Sequence, residues 1–288
     1  MPDFKRNIIE VFDRAGTEWT HAASVQSTNF IFGSKYAGMG LDLSADGNVL
    51  AIGDPAEDGA PSSDDADSCR GVNPVGCQIS DLAGFYNAGA VAIFRRNSDD
   101  GLWVETDYLK SYVVDEDQNF GVAVSLSDNG NRLIVGAPYD DSSGTGIDPP
   151  ATPFGILNSG AAYTFVFDGV SNTWQEDAFI KASNTEQSDL FGSGTVLSGD
   201  GKHAVVFTSN EDSTSVGMGG DQQDNETDEA GAFYVYSHAA GPWQFRAYGK
   251  APKVATFGAT GFRPNLALDT TAATLALGHP TADAVFIY

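Results

Sequence analysis

Carboxylates crowd three stretches of this chain. Asp54, Glu57, Asp58, Asp64, Asp65 and Asp67 fall within residues 54–88. Asp140, Asp141 and Asp148 fall within 139–159, and Asp221, Asp224, Asn225, Asp228 and Glu229 within 209–230. Hard oxygen donors at this density suit Ca2+. The candidate ligands are Asp54, Asp58, Asp140, Asp141, Asp221, Asp224, Asn225 and Asp228; solvated loop charge explains the same residues, and both readings stand open at this point. A shorter acidic run carries less. Asp115, Asp117 and Asn119 open like a calcium loop, but Phe120 stands where its glycine belongs, so a polar link is the better reading. Cys69 and Cys77 close a nine-residue Gly/Pro stretch, C-R-G-V-N-P-V-G-C, and a local disulfide is expected there. Two free thiols in a reducing compartment are the alternative. Two cysteines are too few for a structural zinc site, and His21, His203, His238 and His279 lie at no ligand spacing to them.

Catalytic signatures are absent from the sequence. There is no G-x-S-x-G, no H-E-x-x-H and no complete phosphate-binding loop. Carboxylates are too many for any one glycosidase-like pair to stand out. The 15 Lys+Arg against 39 Asp+Glu give a net charge of −24, which disfavours nucleic acid and anionic membranes as partners. No apolar run is long enough to span a bilayer as a helix, and residues 1–12 carry no signal-peptide core.

The elements that position these residues recur. Trp103 is followed seven residues later by Lys110, and Lys110 ten residues later by Phe120-Gly121; the same steps lead from Trp174 to Lys181 and Phe191-Gly192, from Trp243 to Lys250 and Thr260-Gly261, and from Trp19 to Gln26 and Tyr36-Ala37. The Trp-to-Trp steps are 84, 71 and 69 residues. A constant frame with loops of varying length marks repeated supersecondary units, none of which buries its apolar face alone. Each unit reads as four short strands: an alternating first strand such as Gly38–Leu43, an Asp-Gly or Asn-Gly turn, an apolar second strand such as Val49–Ile52, the long loop, then a hairpin ending on the Trp-bearing strand. A partial unit covers 1–35, and repeats cover about 36–119, 120–190, 191–260 and 261–288. This predicts a single all-β domain, a β-propeller of four-stranded antiparallel blades, about four to five in number, with every long loop on one face. Seventeen strands are counted: four first, four second, five third and four fourth. Either the ring is a small one, in which the last unit lacks a fourth strand that Glu18–Val25 is placed to supply and Asn7–Phe12 is a surplus third strand, or the chain is part of a longer array.

Phe120 to Pro138, F-G-V-A-V-S-L-S-D-N-G-N-R-L-I-V-G-A-P, resembles the FG-GAP repeat of integrin-α-like β-propellers, in its bacterial form. Tyr139-Asp140-Asp141, Asn158-Ser159-Gly160-Ala161 and Phe179 to Gly192 continue the likeness, and Asp221 to Asn225 is similar to the family loop. Unit three departs with Phe207-Thr208-Ser209 in place of G-A-P, and unit four has Gly278-His279-Pro280 and no F-G. The resemblance implies a calcium-binding hairpin between the first and second strands. Here Asp42, Ser44, Asp46 and Gly47 keep its start, but Leu50 replaces the last Asp, and Ser125, Ser127, Asn129 and Leu133 break it in the next unit. Simple turns explain these residues better. The recurring Trp reads as packing between blades.

The function expected from these observations is extracellular or cell-surface, non-enzymatic binding or adhesion. The loop face would contact a protein or glycan, assisted by calcium. Two alternatives remain: a structural module that self-associates through edge strands, and a polysaccharide-active hydrolase or lyase.

Overall fold

The computed structural model describes residues 8–27, 36–58, 86–111, 116–150, 152, 154–227, 229–239, 241–252, 265–279 and 284–288. A hairpin of β1 (Ile9–Ala15) and β2 (Glu18–Val25) comes first. Blade 1 holds β3 (Gly40–Leu43), β4 (Val49–Asp54), β5 (Ala90–Arg96) and β6 (Trp103–Leu109) in that order. Blade 2 holds β7 (Ala123–Leu126), β8 (Arg132–Ala137), β9 (Ala161–Asp168) and β10 (Thr173–Ile180). Blade 3 runs β11 (Phe191–Leu197), β12 (His203–Thr208), β14 (Ala232–Ser237), β15 (Gln244–Lys250), with β13 (Gly217–Met218) added outside β15. Blade 4 has β16 (Leu266–Leu268), β17 (Leu275–His279) and β18 (Ala284–Ile287). Neighbouring strands within every sheet are antiparallel, and the expected β-propeller is the architecture observed.

Sheet stacking explains why the second and third strands are apolar on both faces. In β4, Leu50 and Ile52 face Val25, Ile9 and Val11 of the hairpin, while Val49 and Ala51 join Phe120, Val124 and Phe165 of blade 2. The other faces of β8 and β9 (Ile134, Ala162) pack on Phe191, Leu197 and Tyr234 of blade 3. Phe207 and Phe233 of blade 3 meet Leu275 and Leu277 of blade 4. Trp174 and Trp243 are packing residues, as the sequence indicates, and Trp103 is partly buried, but Trp19 is 64% exposed. Trp174 is fully buried, with the Arg95 guanidinium of blade 1 at 5.9 Å from its ring, and Trp243 Nε1 donates to Asp177 of blade 2 at 2.8 Å.

Two glycines seat blade 1 against blade 2, and two more seat blade 2 against blade 3. A Cβ on Gly53 would stand 1.9 Å from Gly121 O, and one on Gly136 would stand 2.0 Å from Gly192 O. The second-strand glycine of one unit thus touches the F-G glycine of the next through backbone alone. Gly121 and Gly192 have φ of +96° and +92°, open only to glycine without strain. Unit three has Phe207 at this position, and its ring fills the gap to blade 4.

The first-to-second-strand turns are hydrogen-bonded rather than metal-bound in form. Ser44, Ser127 and Ser198 donate their hydroxyls to Asp46, Asn129 and Asp200. Asp42, first of the family's calcium positions, accepts Leu126 N–H of blade 2 at 2.7 Å, and Ser125 accepts Leu197 N–H of blade 3 at 3.1 Å. That position therefore bridges blades, and burial pushes the Asp42 carboxyl above its ordinary value.

Three expectations change. Glu18–Val25 pairs with β1 and does not join the last sheet, which has three strands among the described residues. The F-G counterpart in unit one is Ala37-Gly38, one residue later than the Trp spacing suggests, because Gly40 pairs with Gly53 as Ala123 pairs with Gly136. Strand β13 raises the seventeen expected strands to eighteen.

Replacing Gly53 by Ala should destabilise the protein by at least about 3 kcal/mol, since backbone cannot yield as a side chain does. Gly169→Ala, with nothing within 4 Å of the new Cβ, should stay within about 0.5 kcal/mol of the parent. Denaturant midpoints of the two variants check this pair.

Candidate functional site

Beneath the long loops lies a device the repeat writes three times. The last residue of each Trp-bearing strand region is Lys110, Lys181 or Lys250, and each is buried against an acid two residues beyond the end-of-strand Pro or Ser: Glu57, Asp140 or Glu211. Lys181 Nζ lies 3.3 Å from Asp140 Oδ1, with both side chains fully buried. Asp140 also accepts Tyr163 OH at 2.6 Å and Ser142 N–H at 2.9 Å, and Glu211 accepts Tyr248 OH at 2.7 Å. Burial lowers the pKa of Lys181 and Lys250, while the facing acids act in the opposite direction. Ion pairs so enclosed fix the loop root rather than add much stability. Lys181 Nζ also meets Ser159 Oγ at 2.8 Å, which has the form of a Ser-Lys pair. Ala88 and Ala230 take the place of Ser159 beside the other two lysines, and Ser159 is fully buried. The lysine is therefore structural here.

Seven of the eight candidate calcium ligands lie within the described residues, and they do not converge. Asp140 is committed to Lys181, and Asp54 accepts Ala56 N–H at 3.2 Å. Asp58 accepts Asn87 N–H at 2.9 Å, and Asp141 accepts Asn158 N–H at 2.6 Å. Asp221 accepts Gln223 N–H, Asp224 accepts Thr214 and Glu226 N–H, and Asn225 donates to Glu186. Asp140 faces Lys181 and Tyr163, while Asp54, Asp58, Asp141, Asp221 and Asp224 each accept amides of their own loop. Among the described residues no three His, Cys, Asp or Glu side chains gather as a metal would require, and the residues present do not fit a shared calcium site. Asp228, Cys69 and Cys77 lie outside the described residues, as do Asp64, Asp65, Asp67 and Asp115.

What does converge is a cavity of ≈ 310 Å³ at the loop-bearing end, a volume at the small end of ligand sites. It is built from equivalent positions of three units. Tyr36, Asn119 and Leu190 each precede the F-G pair or its counterpart. Met39, Val122 and Ser193 each follow its glycine. Pro55, Pro138 and Ser209 each end the second strand, and Tyr139 completes the lining. The sequence reading missed it because it looked for chemistry inside the loops. The signal was present in the residues flanking F-G and G-A-P, which the repeat frame brings to one place.

Asp189 directly precedes the lining residue Leu190 and is 5% exposed. Its backbone C=O accepts Asn210 N–H at 3.1 Å and the Thr208 hydroxyl, which ties it to the cavity wall at Ser209. Its carboxylate accepts Glu186 N–H at 2.9 Å. Desolvation, with Glu186, Glu211 and Asp212 as like-charged neighbours, raises its pKa to about 7.

No family model matches the chain. Among curated proteins it is 29% identical over 135 residues to the membrane protein insertase YidC of Francisella tularensis subsp. mediasiatica, covering 46% of this chain and 23% of that protein. It is 32% identical over 111 residues to YidC of subsp. holarctica, covering 38% and 19%. The chain thus spans about a quarter or less of the curated relatives it matches. Three solved structures share its architecture. One is described as a candidate 6-phosphogluconolactonase from Bacteroides uniformis (11% identity, TM-score 0.49, 98% of this chain and 60% of that one). Another is a functionally unknown protein from Desulfotomaculum acetoxidans (10%, TM-score 0.40, 96% and 74%). The third is the periplasmic gluconolactonase of Pseudomonas aeruginosa (12%, TM-score 0.35, 93% and 70%). The expectation that this chain is not an enzyme is corrected by these neighbours, two of which are described as lactonases. At such identity the likeness concerns the fold; what those proteins act on is said of them.

Two measurements test the electrostatics. Lys181→Met leaves Asp140 buried without its cation and should cost about 3–5 kcal/mol; adding Asp140→Leu to it should recover most of the loss in a denaturant titration. Asp189 carries a raised folded-state pKa, so its contribution to stability is present below pH 3.8 and is lost as pH rises through about 7. Asp189→Asn should flatten that decline and leave the variant about 2–4 kcal/mol more stable than the parent at pH 8.

Proposed function

We propose that this chain is a carbohydrate-active enzyme, a hydrolase or lyase of polysaccharides, whose substrate enters the cavity at the loop-bearing end. One observation carries the reading. Three units place equivalent residues around one cavity, and there the repeat stops repeating: Tyr36, Asn119 and Leu190 share a position but no chemistry. A structural seam needs no such variety, whereas a ligand with distinct edges does. Two tyrosines and the Ser209 hydroxyl suit a polyol, offering flat apolar faces and short-range donors and acceptors; Asn119, whose N–H groups donate to Asn87 O and Asp117 O, has its Oδ1 to offer as an acceptor, and the Ser193 hydroxyl donates to Phe207 O. Asp189 is the nearby proton-transfer candidate, with a pKa matched to neutral pH. We take the units to be of FG-GAP type, in keeping with the glycine contact that joins F-G of one unit to G-A-P of the one before. We set the enzyme outside the cytoplasm, where its acid surplus and its Cys69/Cys77 loop are at home.

The test is a panel of polysaccharides and sugar lactones assayed for released reducing ends, unsaturated products or acid. Turnover should occur on at least one. It should fall at least tenfold in Asn119→Ala and Tyr139→Ala without a change in melting temperature, and its pH limb near 7 should vanish in Asp189→Asn. Binding without turnover across the panel would defeat the proposal.

A further inference from the structure

The first strand of unit one stands in a different setting from its counterparts. In units two and three this strand turns two residues toward the preceding blade, and both are covered: Val124 is 9% exposed and Leu126 7%, Thr195 9% and Leu197 4%. Their equivalents in unit one are Leu41 and Leu43, at 48% and 46%. The other seams show what covers such a pair. Val124 and Leu126 pack with Val49 and Ala51 of the second strand β4, and Leu197 packs with Ile134 of the second strand β8. Unit one is preceded instead by the β1–β2 hairpin. Its Ile9 and Val11 pack with Leu50 and Ile52, the register partners of Leu43 and Leu41, so its cover stops one strand short of β3.

Gly38 carries the same mark. It has φ of +84°, like its counterpart Gly121 at +96°. A Cβ on Gly121 would meet backbone of both Gly53 and Ala90, from a second and a third strand. Among the described residues, a Cβ on Gly38 would meet the Ile9 side chain alone. A groove therefore runs along the edge of β1 that faces away from β2, with Leu41 and Leu43 as its floor and Gly38 at one end.

We propose that this groove takes an extended segment of a partner protein by strand addition, and that the segment is of the second-strand type: apolar residues followed by Gly-x-Pro. Its backbone bonds the edge of β1, and its apolar side chains cover Leu41 and Leu43. Its glycine seats on Gly38 as Gly53 seats on Gly121. Its proline arrives beside Tyr36, just as Pro55 shares the cavity lining with Asn119. A docked strand thus extends the cavity wall as well as the sheet.

The experiment uses the isotope-labelled full chain and a synthetic peptide, blocked at both ends, with the sequence of residues 131–138, N-R-L-I-V-G-A-P. The peptide should shift the amide signals of Leu41 and Leu43 and slow exchange of the β1 amides directed away from β2. A peptide carrying Gly136→Val should bind at least tenfold more weakly, and so should the original peptide to the protein variant Leu43→Arg. Leu41→Glu is a second variant of the same kind. Both positions are half-exposed, so the folded state tolerates the charge, and unchanged melting temperatures check this. No shift at Leu41 and Leu43, or binding that survives both variants, overturns the proposal. Slow exchange of those β1 amides in the free protein overturns it too. If it holds at every concentration, a segment of this chain already fills the groove; if it grows with concentration, a second copy does.

Discussion

The propeller depends on one contact: backbone against backbone, glycine to glycine, where blade 1 meets blade 2 and where blade 2 meets blade 3. Gly53 against Gly121 and Gly136 against Gly192 leave no room for a single added carbon. Everything nearer the loop face is placed by this approach. It sets the spacing at which Leu126 N–H reaches Asp42 and Leu197 N–H reaches Ser125, and it brings the residues on either side of F-G toward those at the end of the neighbouring second strand. The positive φ at Gly121 and Gly192 costs little in glycine and of order 1–3 kcal/mol in other residues. A small set of glycines therefore holds the register of the whole array.

The buried lysine–acid pairs answer a second need, which is to hold long polar loops over an apolar stack. A loop root carries backbone groups that must be satisfied away from water. Lys110 donates to Gly89 O, and Gly89, Gly160 and Gly231 donate their N–H groups to Glu57, Asp140 and Glu211 O. Both ends of each loop are thereby pinned to the same acid. This accounts for much of the acidic character of the loops without a metal: the carboxylates serve as acceptors for local amides and for three enclosed ammonium groups.

The architecture was legible in the sequence because repetition states it directly. Trp, Lys and F-G recur at fixed spacing, and the strand inventory follows, with only the two-residue β13 unannounced. Whether Glu18–Val25 joins the last sheet was not legible, since a hairpin strand keeps one free edge and local sequence does not say which distant edge, if any, meets it. The role of the acids was also hidden. Composition cannot distinguish a carboxylate waiting for calcium from one already holding Asn158 N–H or Lys181 Nζ. The offset at Gly38 escaped because spacing from Trp19 crosses a link one residue longer than its counterparts, and only the Gly40–Gly53 pairing reveals it.

The same repetition shows which positions are free to serve a ligand. Across units one to three the turn serines, the buried lysines and the F-G glycine keep their chemistry, because each is fixed by a neighbour within the stack. The positions on either side of that glycine face a void instead of a neighbour, and there the units diverge to Tyr, Asn and Leu, and to Met, Val and Ser. Phe207 makes the converse case. It breaks the glycine pattern, yet its ring meets Leu275 and Leu277, so the divergence is absorbed by packing and opens no space. Divergence that ends in a filled seam is structural. Divergence that ends in an open cavity, lined from three blades by three different chemistries, gives the ring a polarity that its repeats do not have, and an asymmetric ligand is what such a cavity can distinguish.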